Sequence, residues 1–367
     1  MVVIVYGTTA EYIKLIPLVL ALKKRDQLYT IVLSQHEDQL QAFFKTYPDL
    51  PKPDLWLVHG FRGHDLDRFY QAPLWALKVV GAMVANWRTV RRAAGPNRAK
   101  VAWLVHGDTF TTVFGAVWGR LMRYRVGHVE AGLRSFNLWH PLPEEIDRII
   151  VTHFARMHFA PGAVPVKNLA GAKGDVVDTV VNTSYDSIAY ARSRQAPSAI
   201  ADLPARYGII SLHRTEFVAN RPVFERTLRT LAEYGARQPM VFLKQPVTIA
   251  LARDLGMGDL LEKNFIYVPK LDYFSFIKLL DEAAYVVTDS GGLQEDCTYM
   301  YKPCLVVRKA TERQEGLAEG ITKLSHYDDA VLRQFLENPA AGIKSEVVPE
   351  RSPGQIIVDY LVEHGYA

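Results

Sequence analysis

Two acidic residues stand at the ends of two short apolar segments, where each segment gives way to a polar turn. Asp108 follows the segment VAWLV, and Glu130 ends the segment VGHVE. If both segments are parallel strands of one sheet, the two carboxylates lie at its carboxyl edge, where open α/β sheets bind ligands. Carboxylates in such a place can remove and return protons. The alternatives are that Asp108 caps the helix starting near Phe110 and that Glu130 pairs with Arg134.

A third acidic position opens a predicted helix. Glu144 and Glu145 follow the sequence HPLP, and Pro143 is suited to the first turn of a helix. The helix dipole alone favours acids there, and Glu144 and Arg148 have the i,i+4 spacing of an ion pair. One of the two glutamates is therefore a candidate acid or base, with a structural role as the alternative.

The clearest signal for a bound anion is the segment VVTDSGGLQED, residues 286–296. An apolar strand ends at Asp289 and Ser290, and Gly291 and Gly292 lead into a helix. Glycines let the backbone approach a ligand closely, and the free N–H groups of a helix N-terminus bind phosphate. A strand–glycine–helix turn without a ligand is the alternative.

Further polar residues stand near other predicted strand ends. His213 and Arg214 follow the strand YGIISL, Arg313 follows PCLVVR, and Lys14 lies on the helix after Gly7. Arg313 could bind a phosphate with two hydrogen bonds. A buried structural histidine and solvated cations are the alternatives. The chain has neither a G-x-G-x-x-G motif nor a Walker lysine motif, so hydride transfer and P-loop ATP hydrolysis are not supported.

The elements that would carry these residues alternate between strand and helix in two halves of the chain. Short buried strands separated by helices predict parallel sheets covered on both faces. The predicted fold class is α/β, with two doubly wound Rossmann-like domains facing a central cleft. The Gly- and Pro-rich stretch 161–182 marks the boundary between the halves. The predicted strands are VVIVY, YTIVLS, VAWLV, VGHVE and HFAP, then YGIISL, MVFLKQP, FIYVPK, YVVTDS and PCLVVR.

Length and composition limit the class of protein. The 367 residues exceed an ordinary single core, and a net charge of +4 is small for a nucleic-acid-binding protein. Cys297 and Cys304 lack metal-site spacing, which predicts no metal, no disulfide framework and a reducing cytoplasm. No apolar run reaches membrane-spanning length. The apolar stretch 74–87 could lie on a membrane surface, but packing in a core or against another subunit is favoured.

Ordered motifs along the chain resemble those of the non-hydrolysing UDP-N-acetylglucosamine 2-epimerases. They read VHGDTFTT, VGHVEAGLRS, PLPEEIDR, HFAP, LDYFSFIKLL, VVTDSGGLQED, KPCLVVR and TERQEGLAEG, and SPGQIIVDYL resembles the closing helix of that family. The resemblance implies a GT-B fold whose final helix returns to the first domain. The predicted domains are residues 1–170 with 352–367, which carry the carboxylates, and 171–351, which binds UDP.

The resemblance implies inversion of carbon 2 of UDP-N-acetylglucosamine, which gives UDP-N-acetylmannosamine, with no cofactor. UDP would leave C1 as the C2 proton is removed, giving a 2-acetamidoglucal, and would return after protonation on the opposite face. This path needs carboxylates on both ring faces and positive charge on the departing diphosphate. The implied catalytic residues are Asp108, Glu130, Glu144 and His213, and the implied UDP-sugar-binding residues are Lys14, Arg134, Phe276, Ser290, Gly291, Gly292, Asp296 and Arg313.

The chain departs from the family pattern at several of these motifs. Thr9 stands where the family has an arginine on the nucleotide diphosphate, and Asp296 is one methylene shorter than the family's ribose-binding glutamate. Loss of one charge-assisted contact costs about 1.5–3 kcal/mol of binding. Leu243 replaces a histidine of the bacterial activator site, although Gln35 and His36 remain. This replacement argues against activation by a second UDP-sugar.

Other functions stand beside epimerisation with retention of the nucleotide. The segment AEY at 10–12 resembles the hydrolysing relatives, which release N-acetylmannosamine and UDP, whereas VEAGLRS matches the non-hydrolysing form. The remaining alternatives are a modified UDP-sugar substrate, a GT-B glycosyltransferase and a UDP-sugar-binding protein without catalysis. We expect a cytoplasmic homodimer of polysaccharide biosynthesis whose partner is a UDP-sugar, with neither nucleic-acid binding nor stable membrane insertion.

Overall fold

The computed structural model describes residues 1–60, 64, 71–138, 143–194, 200, 203–269, 271–311 and 313–367. They form two compact units, Met1–Ser187 with Pro349–Ala367, and Ile188–Val348. The boundary predicted at 170/171 falls ahead of the strand Asp175–Asp178, which belongs to the sheet of the first unit. The Gly- and Pro-rich stretch 161–182 thus forms a short helix, this strand and turns inside the first unit, and the first unit extends to Ser187.

Within the described residues, the first unit forms a seven-stranded parallel sheet. Its strands are β1 (Val2–Tyr6), β2 (Leu28–Leu33), β3 (Leu55–Val58), β4 (Ala102–His106), β5 (Arg125–Val129), β6 (Met157–Ala160) and β7 (Asp175–Asp178). They lie in the order β3-β2-β1-β4-β5-β6-β7. The helices are α1 (Thr9–Lys23), α2 (Glu37–Thr46), α3 (Gln71–Ala85), α4 (Trp87–Ala93), α5 (Phe110–Leu121), α6 (Glu144–Phe154) and α7 (Ala163–Asn168), with a 3-10 turn at Arg98–Lys100. Helix α8 (Ser184–Ser193) begins in the first unit and continues into the second after Ser187.

The centre of this sheet is apolar on both faces. Every residue of β1 and β4 is buried, as expected for parallel strands covered by helices on both sides. Trp103 of β4 packs edge-on against Trp118 of α5, with ring centroids 5.4 Å apart. The indole N–H of Trp103 donates to the Gly115 carbonyl at 2.8 Å, so burial leaves no unpaired donor on that ring. A Cβ atom at Gly119 would lie 2.4 Å from the Trp103 ring, so glycine lets α5 approach the sheet.

The second unit forms a six-stranded parallel sheet in the part of the chain that the structure describes. Its strands are β8 (Gly208–Ser211), β9 (Met240–Leu243), β10 (Ile266–Val268), β11 (Tyr285–Thr288), β12 (Cys304–Val306) and β13 (Thr322–Leu324), in the order β10-β9-β8-β11-β12-β13. The helices are α9 (Thr215–Ala219), α10 (Arg221–Gly235), α11 (Pro246–Asp254), α12 (Gly258–Asn264), α13 (Tyr273–Glu282), α14 (Gly291–Tyr299) and α15 (Asp329–Glu337). Phe224, Leu228 and Leu231 form the buried apolar stripe of α10 at helical spacing.

The last helix, α16 (Pro353–Glu363), belongs to the first unit. Its N-cap Ser352 accepts a hydrogen bond from the Gln355 N–H. Asp186 accepts two hydrogen bonds from this helix start, from the Ser352 hydroxyl at 2.8 Å and the Gly354 N–H at 2.7 Å. The carboxylate of Asp186 therefore fixes the point at which α16 begins.

The predicted fold class, two doubly wound α/β domains of GT-B type, is confirmed by the two helix-flanked parallel sheets. Three strands were not predicted, and all three lie at sheet edges: β3, β7 and β13. Edge strands are covered less completely than central ones, and β7 and β13 contain polar residues accordingly, whereas β3 is a short apolar strand with the sequence LWLV. In β7, for example, the sequence DVVD places an acid at each end.

Candidate active site

Each sheet reverses its strand order at one place, between β1 and β4 in the first unit and between β8 and β11 in the second. In open α/β sheets, ligands bind beyond the carboxyl ends of the strands at such a switch point. Lys14 lies on the helix after β1, Asp108 follows β4, and Glu130 follows the neighbouring β5. In the second unit, His213 follows β8 and Ser290 follows β11.

Glu130 lies between two basic side chains. Its Oε2 accepts a hydrogen bond from Lys14 Nζ at 2.8 Å and is 3.4 Å from His106 Nε2. Only 6% of the Glu130 side chain is exposed. Its backbone has φ of +68°, a left-handed conformation that strains a residue with a Cβ atom. The fold thus maintains a buried, charge-paired carboxylate on a strained backbone, and strain of this kind is concentrated at functional sites.

Asp108 is held by Arg148 of α6. Its Oδ2 accepts from Arg148 Nε at 2.9 Å and lies 2.7 Å from Nη2, while 29% of the Asp108 side chain stays exposed. The capping alternative for Asp108 is wrong, because the N-cap of α5 is Thr109. The predicted Glu144–Arg148 ion pair is also wrong, because the guanidinium binds Asp108 instead and lies 3.5 Å from Glu145.

Glu145 of α6 is fully buried and is bound by the loop that follows β5. Its carboxylate accepts from Arg134 Nε at 2.6 Å and from the backbone N–H groups of Ser135 at 2.9 Å and Phe136 at 3.2 Å. Burial alone would raise its pKa, but these hydrogen bonds and the Arg134 charge lower it. Arg134 therefore pairs with Glu145, and the alternative that it pairs with Glu130 is wrong. Of the two adjacent glutamates, Glu144 is left as the candidate for proton transfer.

Glu144 and Asp147 share the first turns of α6 with Glu145. Glu144 is the first residue of the helix, and its Oε2 is buried with no hydrogen-bond partner among the described residues. Burial raises the pKa of Asp147 to about 7, and the charges of Asp108 and Glu144 add to the effect. Sequence reasoning missed Asp147, although three acids in the four residues EEID were a visible signal.

Two further buried groups position the turns of the first unit. Glu11 accepts from the N–H groups of Gly7 at 2.6 Å and Thr8 at 2.9 Å, and from the Thr109 hydroxyl at 2.6 Å. It thereby joins the turn after β1 to the turn after β4, beside Asp108. His128 Nε2 lies 2.7 Å from the carbonyl of Gly107, and burial lowers the pKa of His128 to about 4. Its imidazole is therefore neutral near pH 7.

In the second unit, Asp289 joins the turn after β11 to the turn after β8. Its Oδ2 accepts from the backbone N–H groups of His213 at 2.8 Å and Arg214 at 2.7 Å. His213 Nδ1 lies 3.5 Å from the other oxygen of Asp289, and 39% of the His213 side chain is exposed. Asp289 has no solvent exposure, and this burial raises its pKa despite the two backbone hydrogen bonds. The carboxylate of Asp289 thus orients His213.

The glycine turn lies next to this pair. Ser290 is the N-cap of α14, and its hydroxyl accepts from the Leu293 N–H. Gly291 and Gly292 are the first two residues of the helix. Gly292 is exposed, and a Cβ atom there would meet nothing nearer than Ser290 Oγ at 4.0 Å. The turn can therefore present free backbone N–H groups to an anion.

The other predicted binding residues of the second unit lie on or near α13 and α14. Arg313 Nη1 is 3.0 Å from Glu295 Oε2 and 3.6 Å from Glu315 Oε1, so its guanidinium is held beside α14. Asp296 is half-buried on α14, and Phe276 is half-buried on the separate helix α13. The structure therefore groups His213 with the Ser290–Gly292 turn, and it joins Arg313 to α14 through Glu295.

The described ranges contain neither a metal-site cluster nor a membrane-spanning helix. No three His, Cys, Asp or Glu side chains are grouped there so that they could hold a metal ion. No helix in those ranges combines the length and apolar character needed to cross a membrane.

The chain matches the family model described as UDP-N-acetylglucosamine 2-epimerase over residues 20–346. The chain belongs to that family. It is 32% identical over 340 residues to a probable UDP-N-acetylglucosamine 2-epimerase of Ralstonia nicotianae, covering 88% of this chain and 86% of the relative. It is 30% identical over 361 residues to the UDP-N-acetylglucosamine 2-epimerase of Yersinia pestis, covering 92% and 91%.

A solved structure carries the same fold. The Methanocaldococcus jannaschii UDP-GlcNAc 2-epimerase, crystallised with UDP-GlcNAc and UDP, superposes with a TM-score of 0.77 at 27% identity and covers 99% of both chains. The predicted family and the prediction of an epimerase-like enzyme are therefore confirmed. The roles of individual residues in this 2-epimerase family member stay predictions.

Proposed function

We propose that the chain inverts carbon 2 of a UDP-N-acetyl sugar and keeps the nucleotide, interconverting UDP-N-acetylglucosamine and UDP-N-acetylmannosamine. One observation carries this proposal: Glu130 is a buried carboxylate that Lys14 and His106 hold at the switch point of the first sheet. Asp108 follows β4, and Glu144 opens α6, the helix whose Arg148 binds Asp108. The M. jannaschii relative binds UDP-GlcNAc and UDP, which supports a nucleotide sugar as the ligand.

In this proposal the two units have different tasks. A carboxylate of the first unit takes the C2 proton while the C1–O bond breaks and UDP departs with the bonding electron pair. The product of this half-reaction is a 2-acetamidoglucal. A second carboxylate then protonates C2 on the opposite face, and UDP adds back to C1. Paired carboxylates suit this chemistry because one can be ionised while the other carries a proton.

The second unit would hold the diphosphate. The N-terminal N–H groups of α14 at Gly291 and Gly292 suit an anion, and His213, oriented by Asp289, can stabilise charge that develops on the departing oxygen. Arg313 would add a cation, although its guanidinium already contacts Glu295. Asp296 and Phe276 are the proposed ribose and uracil contacts.

Proton NMR of UDP-N-acetylglucosamine with the enzyme in deuterated water tests this function. We expect deuterium at C2 and UDP-N-acetylmannosamine as the product. Free N-acetylmannosamine with stoichiometric UDP would show the hydrolysing reaction instead. No exchange and no inversion would reject this substrate, and parallel assays with modified UDP-sugars and with sugar acceptors would then identify the activity.

We also propose that the chain forms a homodimer through α3. One face of this helix buries Trp75, Val79 and Met83, whereas Leu77 and Val84 on another face are each 70% exposed. Exposed apolar patches on helices are typical of subunit contacts. Sedimentation velocity should give a dimer that the double change Leu77→Glu and Val84→Glu converts to a monomer. A wild-type monomer at micromolar concentration would reject this proposal.

A further inference from the structure

Asp147 is a buried acid that the reaction proposed above does not use. It lies on α6, one turn after Glu144, and only 4% of its surface is exposed. Its Oδ2 has no hydrogen-bond partner among the residues that the structure describes. An ionised carboxylate without hydrogen bonds in such a place would be strongly destabilising, whereas the protonated form is a hydrogen-bond donor.

The charges around Asp147 favour the protonated form. Burial is the main cause of the raised pKa of about 7, followed by the negative charges of Asp108 and Glu144. The nearby cation does not offset them, because the Arg148 guanidinium is bound to Asp108 and lies 3.5 Å from Glu145.

The other charged groups of this region are also accounted for. Arg134, from the loop after β5, is bound to Glu145 at 2.6 Å. His128 of β5, whose pKa is lowered to about 4 by burial, is neutral near pH 7. The two arginines of this region, Arg148 and Arg134, are therefore each paired with a carboxylate other than Asp147, and Arg148 Nη1 has no hydrogen-bond partner in the described residues.

Glu145 shows that burial alone does not decide whether the pKa of an acid is raised. It lies two residues before Asp147 on α6 and has no exposure, but it accepts two backbone N–H hydrogen bonds and one from Arg134. These partners lower its pKa. The two acids thus differ in their hydrogen-bond partners, and Asp147 is the one that keeps a proton.

We propose that Asp147 is a positioning residue, whose protonated carboxyl can donate a hydrogen bond to the Asp108–Glu144 carboxylate group, where Glu144 Oε2 is also buried without a partner in the described residues, and limits the negative charge there. This inference rests on the proposed epimerase function, in which Asp108 and Glu144 are candidate proton-transfer carboxylates beside Glu130. When Asp147 loses its proton, the group gains a negative charge and loses a donor. The added charge repels the carboxylates of Asp108 and Glu144, and proton transfer within the group becomes slower.

The test compares wild type with Asp147→Asn and Asp147→Leu. Asparagine keeps a hydrogen-bond donor but cannot ionise, and leucine has neither property but keeps the branched shape of the side chain. The kcat and KM for epimerisation of UDP-N-acetylglucosamine are measured from pH 5.5 to 9. The matched control is Asp254→Asn, which changes an exposed carboxylate on α11. This control should keep the wild-type pH profile.

We expect the wild-type kcat to fall as the pH rises through about 7, approaching tenfold per pH unit. Asp147→Asn should retain most of the kcat at pH 6 and lose this decline. Asp147→Leu should lower kcat by about 30-fold at pH 6 with little change in KM, because its catalytic carboxylates lack the donor. An unchanged decline in Asp147→Asn, or equal rates for the asparagine and leucine variants, would overturn the proposal.

A second measurement does not depend on activity. Because the folded-state pKa of Asp147 is raised above the ordinary aspartate value of 3.8, the folded chain binds more protons than the unfolded chain between pH 4 and 7. The contribution of Asp147 to the free energy of unfolding therefore decreases as pH rises across this window and levels off above 7. Asp147→Asn should remove this dependence. The melting temperature of the variant should therefore rise relative to that of wild type as the pH increases from 4 to 7.

The two measurements separate the two proposals. Equal pH dependence of melting in wild type and Asp147→Asn would overturn the assignment of the proton. A wild-type enzyme that shows the expected difference in melting but does not act on UDP-N-acetylglucosamine would reject the proposed function and leave the proton on Asp147.

Discussion

The candidate residues at the strand ends are held in different ways in the two units. In the first unit, charged side chains hold the candidate residues: Lys14 binds Glu130, and Arg148 binds Asp108. In the second unit, a buried carboxylate holds the backbone, because Asp289 accepts from the N–H groups of His213 and Arg214. Ion pairs hold groups whose charge can change during a reaction, whereas backbone N–H groups do not titrate. The comparison therefore predicts proton transfer in the first unit and anion binding in the second.

The largest effect is expected from Glu130→Gln, which tests whether proton transfer belongs to the first unit. The amide keeps the size of the side chain but removes the charge and the capacity to take a proton, so kcat should fall about 10³-fold. The affinity for UDP, measured by calorimetry, should stay within about threefold of wild type, since the anion-binding turn is untouched. A loss of UDP affinity comparable to the loss of kcat would contradict the division of tasks.

The corresponding change in the second unit is Asp289→Ala. It leaves the N–H groups of His213 and Arg214 without their acceptor, which should cost about 2–4 kcal/mol in the free energy of unfolding. UDP affinity should fall as well, because the turn that carries Ser290 loses its anchor. Urea denaturation and calorimetry measure the two effects, and Asp289→Asn, which retains one acceptor oxygen, should be intermediate. Normal UDP affinity in the alanine variant would show that the turn does not bind the anion.

Acid should weaken the first unit through His128. Its pKa is lowered to about 4 in the folded chain, so the unfolded chain binds more protons between pH 6.5 and 4. Stability from this group is complete above pH 6.5 and is lost as pH falls through this window, by up to about 3 kcal/mol. His128→Gln can keep the hydrogen bond to Gly107 without titrating, so it should resist acid better than wild type in urea melts at pH 4.5. An identical loss in both proteins would place the acid sensitivity elsewhere.

The smallest expected effect concerns Thr9, where the family has an arginine. Thr9 is the first residue of α1, and its hydroxyl oxygen is buried with no hydrogen-bond partner in the described residues. If the lost guanidinium is not replaced, Thr9→Arg should tighten UDP binding about tenfold, corresponding to roughly 1.5 kcal/mol. Thr9→Gln, which is neutral, is the control for size. Equal affinities of the arginine variant and wild type would show that another cation already serves the diphosphate.

The sequence was sufficient to predict the elements that depend on a local pattern of apolar and turn-forming residues. Apolar runs predicted the central strands, and the residues directly after them, such as Asp108 and His213, lie at the switch-point strand ends as expected. Turn chemistry predicted that Gly291 would open a helix at the end of β11. Central strands are buried on both faces, so their sequences carry a strong signal.

The contacts between side chains could not be predicted, because they depend on which strands are neighbours. Lys14 and Glu130 are 116 residues apart and meet because β1, β4 and β5 are adjacent in the sheet. The spacing rule for Glu144 and Arg148 failed for the same reason, since Asp108 comes from another strand end and binds the guanidinium. The raised pKa of Asp147 is caused mainly by burial, and it likewise depends in part on the position of Asp108.

The left-handed backbone of Glu130 has a consequence for engineering. Glycine would adopt φ of +68° without the cost of about 1 kcal/mol that a side chain incurs there. A redesign that minimised backbone conformational energy alone would choose glycine at position 130 and raise the melting temperature. Such a thermostabilised variant would lack the carboxylate that we assign to proton transfer. Glu130 should therefore be kept unchanged when the chain is redesigned for stability.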